Sequence, residues 1–253
     1  MDILVLLKQV PVSTDIRMDE NHNLIREGAA LEMNIADASA LELGLRLGTV
    51  TALSMGRPGC HAMLRDALAR GADRGVLVTD PALGGADALA TARALAAAVG
   101  ALARPYDLIL CGRRAIDGET GQVGPELAAL LGLPVITNVS ALALQGNALT
   151  LTRSVEAGIE TLAAPLPCLV TLQEYTYPLR LPGILGLRRA KALPIEVLTA
   201  AQLDLPPQQL GLRGSPTRVK SVSTQAAGLR QTCWAPSVEA GCAHLRALWE
   251  VTP

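Results

Sequence analysis

The chain has no phenylalanine, and only 2% of its 253 residues are aromatic. A surface that recognises single-stranded nucleic acid by base stacking therefore has little to build on. The formal net charge is only −1, which argues against a general nucleic-acid or membrane surface. Long apolar runs are also missing: "ILVLL" (Ile3–Leu7) is short, and "ALAAAVGALA" falls well below the ~20 residues that span a bilayer. Met1 leads into a strand-like run without a basic segment, so no signal peptide and no membrane insertion are expected. The expected location is cytoplasmic.

Metal and nucleophile chemistry lack their usual signatures as well. Cys60, Cys111, Cys168, Cys233 and Cys242 show no CxxC spacing and read as thiols rather than metal ligands or disulfides. His22, His61 and His244 show no HxxxH spacing. Without a Ser/His/Asp arrangement, no catalytic residue is assigned and no metal is expected. Neither GxGxxG nor the Walker A pattern occurs.

What is present is alternation. "ILVLL", "TVTALSM", "GVLVTD" and "YDLILCG" are continuous apolar runs of the kind buried on both faces of a parallel sheet. Between them lie helical stretches: "IADASALELGLRL" with Asp37 placed to cap it, a segment ending at Arg70, and "GGADALATARALAAAVGALA". The fold class expected is α/β, a doubly wound, mainly parallel sheet. After Pro134 the runs shorten around Gln145–Gly146–Asn147 and Ala157–Gly158, which reads as added antiparallel strands, with "PCLVTLQ" returning to the sheet. Arg17–Met18 and Leu24–Ile25 could pair as a small hairpin. Residues 1–197 are assigned to this domain. Residues 198–253, rich in Pro, Gln and Gly before "PSVEAGCAHLRALWEV", are assigned to a C-terminal arm ending in a helix capped by Ser237.

Three loops follow strand ends: Gln9–Asp15, Thr79–Asp87 and Arg113–Gln122. In doubly wound sheets such loops gather where ligands bind. Two lead into helix N-termini, where amides and dipole favour phosphate. "DPALGGADALAT" supplies Gly84 and Gly85 for close approach, Asp87 as a cap and Thr91 one turn inward. In "CGRRAIDGETGQVGPELAALLGLP" the carboxylates of Asp117 and Glu119 suit ribose hydroxyls or capping. Thr120 and Gln122 suit phosphate or adenine edges. Ordinary βα turns, with glycines fixing only geometry, would show the same spacing.

"AIDGETGQVGPELA" closely resembles the nucleotide-binding signature of the small (beta) subunit of electron-transfer flavoproteins. "KQVP", "EMN" (Glu32–Asn34), "RGADRGVLVTD", "SVEAGIET" and "LPGIL" fall in that family's order, so the resemblance covers essentially the whole chain. It implies pairing with an alpha subunit that holds a redox FAD. In the ordinary branch the beta subunit binds AMP; in the electron-bifurcating branch it binds a second FAD that takes hydride from NADH. "DPALGGADALAT" and "TDIRMDE" are similar to the bifurcating branch, so FAD is expected here, with AMP the alternative. Ala88 stands where that branch has Thr, Ile35 where it has Pro, and the segment around Gly48 is shorter. Carried over by position, the resemblance implies a cofactor site of Leu6, Asn34, Met55, Gly85, Asp87, Thr91, Asp117, Thr120, Gln122 and Val123.

The same resemblance makes residues 178–192 a recognition loop. Its protruding Leu181, beside Arg188 and Arg189, would dock an acyl-CoA dehydrogenase. Ferredoxin or flavodoxin would take the other electron. A nucleotide-binding regulatory module of the universal-stress type is the rival from another class.

Overall fold

The computed structural model describes residues 1–12, 17–18, 24–25, 30–146, 148–220 and 234–250. Its elements in chain order are β1 (Asp2–Leu6), β2 (Gln9–Pro11), β3 (Arg17–Met18), β4 (Leu24–Ile25), β5 (Leu31–Met33), α1 (Ile35–Leu47), β6 (Thr49–Met55), α2 (Cys60–Arg70), β7 (Arg74–Val78), α3 (Ala88–Ala101), β8 (Leu108–Gly112) and α4 (Val123–Leu131). There follow β9 (Val135–Gln145), β10 (Ala148–Val155), β11 (Gly158–Pro165), β12 (Cys168–Leu172), α5 (Ile184–Ala192), β13 (Ile195–Leu198), α6 (Gly211–Gly214) and α7 (Val238–Glu250).

One sheet of nine strands, among the described residues, runs in the order β11-β10-β9-β12-β8-β1-β6-β7-β13. Pairings from β9 through β12, β8, β1, β6 and β7 to β13 are parallel; β9–β10 and β10–β11 are antiparallel. The α/β class and the added antiparallel strands are as expected. β3 and β4 pair antiparallel, Arg17 opposite Ile25.

The continuous apolar runs follow from burial on both faces. Ile3, Val5, Val50 and Ala52 pack with Leu41, Leu64 and Leu68 of α1 and α2 on one face. Leu4, Leu6, Leu53, Val76 and Ile109 pack with Leu95 and Leu127 of α3 and α4 on the other. Each buried Leu or Ile contributes about 2 kcal/mol from the area it removes from water. α5 joins the first face through Ala190 and packs on α2.

The chain divides into two compact units, Met1–Val219 and Lys220–Pro253. The first thus runs past Leu198, where the composition changes. β13 pairs in parallel with β7 at the sheet edge, Ile195 opposite Gly75. Leu212 N–H donates to Gly84 O (2.9 Å), tying α6 to the turn before α3. In the second unit, Ser237 Oγ accepts from Ala240 N (3.2 Å) at the start of α7, the cap expected there.

Candidate functional site

The strand order reverses between β1 and β8. From β1 the chain passes through α1 to β6; from β8 it passes through α4 towards β9, on the opposite side and the opposite face. The loops after these two strands therefore part at their carboxyl ends and leave a crevice, the position where ligands bind in such sheets.

A buried carboxylate holds that crevice together. Asp37 Oδ2 accepts from Lys8 N (2.7 Å) and Oδ1 from Gly112 N (2.8 Å), joining the ends of β1 and β8. The expectation that Asp37 caps α1 is corrected: Asn34 is the cap residue, and no side chain caps this helix. First-turn acids usually cap, but this one lies on the helix face turned to the sheet, 6% exposed. Burial pushes its carboxyl up to about 6, more than the bonds from Lys8, Gly112 and Asn34 and the Lys8 charge pull it down. The thiol of Cys111 is also pushed up, by burial first and by Asp37 second, so it is no nucleophile. Gly112 is required by contact: a Cβ would lie 2.5 Å from Asp37 Oδ1 and 2.6 Å from Ala36 Cβ.

The loop after β8 is fixed from below. Asn34, 1% exposed, donates from Nδ2 to Arg114 O (2.9 Å) and accepts from Ile116 N (3.4 Å). Its side chain thus shapes the loop after β8. Asp117 Oδ1 accepts from Lys8 Nζ (2.6 Å), spanning the two sides of the crevice. Glu119 (φ 51°) and Gly121 (φ 64°) turn through the left-handed region, and the chain enters α4 at Gln122 and Val123. Gln122 N–H reaches Thr120 Oγ1 only at 3.5 Å, and no side chain caps α4. This helix start can therefore receive an anion.

The start of α3 is built differently. Asp87 caps it, Oδ1 accepting from Ala90 N (2.9 Å), while Oδ2 accepts from Thr217 N (3.0 Å) and Oγ1 (2.8 Å). Asp87 N donates to Ser215 Oγ (2.9 Å). Burial pushes the Asp87 carboxyl up, but the bonds from Ala90 and Thr217 outweigh it and hold it below the ordinary range. Residues 211–217 thus form a strap across this helix start, with Leu212 against Gly85. Thr91 sits one turn in, half-buried. Glu126, in the first turn of α4, is pushed up by burial and then by the charge of Asp87, and α3 and α4 pack against one another. Glu126 Oε2 is buried without a hydrogen-bond partner among the described residues.

The expected cofactor residues therefore fall in two groups: Asn34, Asp117, Thr120, Gln122 and Val123 around the crevice, and Gly85, Asp87 and Thr91 at the start of α3. Leu6 is buried at the end of β1, and Met55 half-buried at the end of β6. Sequence reasoning missed Lys8, Asp37 and the strap; an acid at the third position of a helix offers no signal that it will reach across to strand ends. Two open grooves, of about 560 Å³ beside α3 and about 520 Å³ beside α1 and α2, take in none of the expected cofactor residues.

The three residues expected to dock lie elsewhere, on the α2–α5 side. Leu181 is 85% exposed. Arg188 and Arg189 are both exposed, and Arg189 donates to Ala72 O (2.8 Å) and Leu68 O (3.3 Å) beside the end of α2.

A doubly wound sheet with a polar crevice at its switch point and an uncapped helix start beside it is the arrangement at which α/β proteins of this class hold their ligands. Residues 22–203 match the model of the electron transfer flavoprotein domain, and the chain belongs to that family. It is 42% identical over 232 residues to the electron transfer flavoprotein subunit beta of Thermoanaerobacterium thermosaccharolyticum, covering 88% of each chain. It is 39% identical over 236 residues to the caffeyl-CoA reductase-Etf complex subunit CarD of Acetobacterium woodii, covering 90% of each. To protein FixA of Azorhizobium caulinodans it is 40% identical over 240 residues, covering 90% of this chain and 85% of that one. No helix among the described residues is long and apolar enough to cross a membrane.

Proposed function

We propose that this chain is the beta subunit of a cytoplasmic, heterodimeric electron-transfer flavoprotein whose switch-point crevice binds FAD. The observation that carries the reading is the start of α4 after β8 at the β1–β8 switch, which no side chain caps. The donor set fits a dinucleotide: the start of α4 and the Lys8 ammonium meet phosphate, while Asp117 and Asp87 accept ribose or ribityl hydroxyls. The left-handed turn at Glu119–Gly121 lets main chain approach the ligand closely. FAD bound here would supply hydride acceptance from NADH and release of single electrons to two acceptors. Those acceptors are the alpha-subunit FAD, serving an acyl-CoA dehydrogenase, and a low-potential carrier such as ferredoxin or flavodoxin.

This chain's part is to orient and to dock. Asp37 and Asn34 keep the crevice in register, and exposed Leu181 engages the dehydrogenase. The stretch after Leu198, α7 above all, contacts the alpha subunit. The relative named as part of a caffeyl-CoA reductase complex supports a CoA-thioester dehydrogenase as partner.

A specific observation favours AMP as the second reading: Asp87 caps α3 itself, Ala88 offers no hydroxyl, and residues 211–217 strap that helix start. AMP needs only one phosphate site. The deciding experiment is nucleotide analysis of the purified heterodimer after denaturation, by chromatography with ultraviolet detection. Two FAD per heterodimer are expected; one FAD with one AMP would refute the FAD reading.

A further inference from the structure

The loop that carries Leu181 combines exposed apolar tips with a backbone tied down at Arg180 before them and at Ala190 and Leu193 after them. Leu181 is 85% exposed, Ile184 81% and Leu185 80%. Beneath them, Arg180 is held through three groups. Its N–H donates to Glu42 Oε2 (3.1 Å), its Nε to the same oxygen (2.9 Å) and its Nη2 to Glu42 Oε1 (3.0 Å). Its carbonyl accepts from the Arg70 guanidinium. Further along, Arg65 donates to the carbonyls of Ala190 and Leu193, and Gly186 lies so close to Ala69 O that a Cβ would overlap it.

Glu42 is the unusual member of this set. Its side chain is only 4% exposed, and a second arginine, Arg46, donates to Oε1 (2.8 Å). Burial would raise its carboxyl, but the bonds from Arg180 and Arg46 bring it down to about 2. A buried carboxylate is costly unless fully paired, and pairing one is a poor way to gain stability. What such a group does provide is a fixed position. Arg46 in turn sits 5.4 Å over the ring of Tyr177, whose hydroxyl accepts from Leu142 N (2.9 Å).

We propose that Glu42 is the positioning residue of the docking face: its carboxylate fixes Arg180, and Arg180 sets where Leu181 stands. The apolar tips then meet a partner with their ordering entropy already spent, which strengthens docking without adding a contact. This inference rests on the reading of Leu181 as the dehydrogenase anchor.

The test uses heterodimers carrying Glu42→Gln, Arg180→Ala or Leu181→Ala, assayed with a purified acyl-CoA dehydrogenase that exchanges electrons saturably with the wild type. Glu42→Gln and Arg180→Ala should each raise the KM for the heterodimer about tenfold, with kcat within about twofold and nucleotide content unchanged. Amide exchange over residues 180–187 should quicken in both. If Leu181→Ala raises KM while the other two leave it unchanged, or lower kcat alone, Glu42 has no positioning role and the anchor reading stands. If Leu181→Ala leaves KM unchanged, or no acyl-CoA dehydrogenase saturates the wild type, the anchor reading falls and this one with it. Should Glu42→Gln fail to fold, Arg180→Ala decides, because that side chain is 43% exposed and its removal leaves Glu42 with Arg46.

Discussion

Asp37→Asn offers a pH-resolved test of the buried carboxylate at the strand switch. In the folded chain Asp37 titrates at about 6, against 3.8 for an ordinary aspartate. The folded value is the higher one, so the native state holds this proton more tightly than the unfolded chain. The resulting stabilisation is fully present below about pH 3.8 and is lost as pH rises through about 6. A shift of this size is worth about 3 kcal/mol in full, and about 2 kcal/mol of it falls between pH 4.5 and 7.5. Asparagine cannot ionise and has one oxygen for the two donors Lys8 N and Gly112 N. The variant therefore loses about 1–3 kcal/mol by leaving one amide unpaired, at every pH. Urea unfolding of both full chains at the two pH values removes other carboxylates from the comparison, since they titrate alike in each. The advantage of wild type over variant should be about 2 kcal/mol larger at pH 4.5 than at pH 7.5. A difference independent of pH would refute the argument that burial controls this carboxyl.

Gln122→Ala or Thr91→Val should weaken nucleotide binding about three- to tenfold without lowering the thermal midpoint, as read from nucleotide retained after gel filtration; full retention would remove both residues from the site. Gly112→Ala places a Cβ into Asp37 and Ala36, and should cost about 1–3 kcal/mol in urea unfolding and release nucleotide as β1 and β8 part. An unchanged midpoint would mean that α1 is free to move aside.

Much of the architecture is legible in the sequence because the central strands are buried on both faces. Runs such as "ILVLL" have no polar alternation to confuse them with solvent-facing strands. β13 was not legible: "IEVL" is four residues with a glutamate among them, sits at an edge, and owes its place to pairing with β7. The strap escaped for a related reason. Ser215 and Thr217 act through a hydroxyl and a main-chain N–H on Asp87, contacts that leave no periodicity in composition. Within the crevice, Asn34 and Asp117 stood out by resemblance, yet their bonds to the loop and to Lys8 depend on strands far apart in the chain. Asp37 looked like a cap because local spacing carries no information about what the sheet face of α1 will meet.

α1 carries both buried carboxylates discussed above, Asp37 and Glu42, five residues and about 7.5 Å apart along its axis. One end of the helix serves the crevice and the next turn and a half serves the proposed docking loop. For anyone grafting a foreign recognition loop onto this chain to redirect its electrons, the seam does not run at residues 178 and 192. A graft lacking a cation where Arg180 stands would leave Glu42 buried against Arg46 alone. The transplant unit is the loop together with its socket in α1.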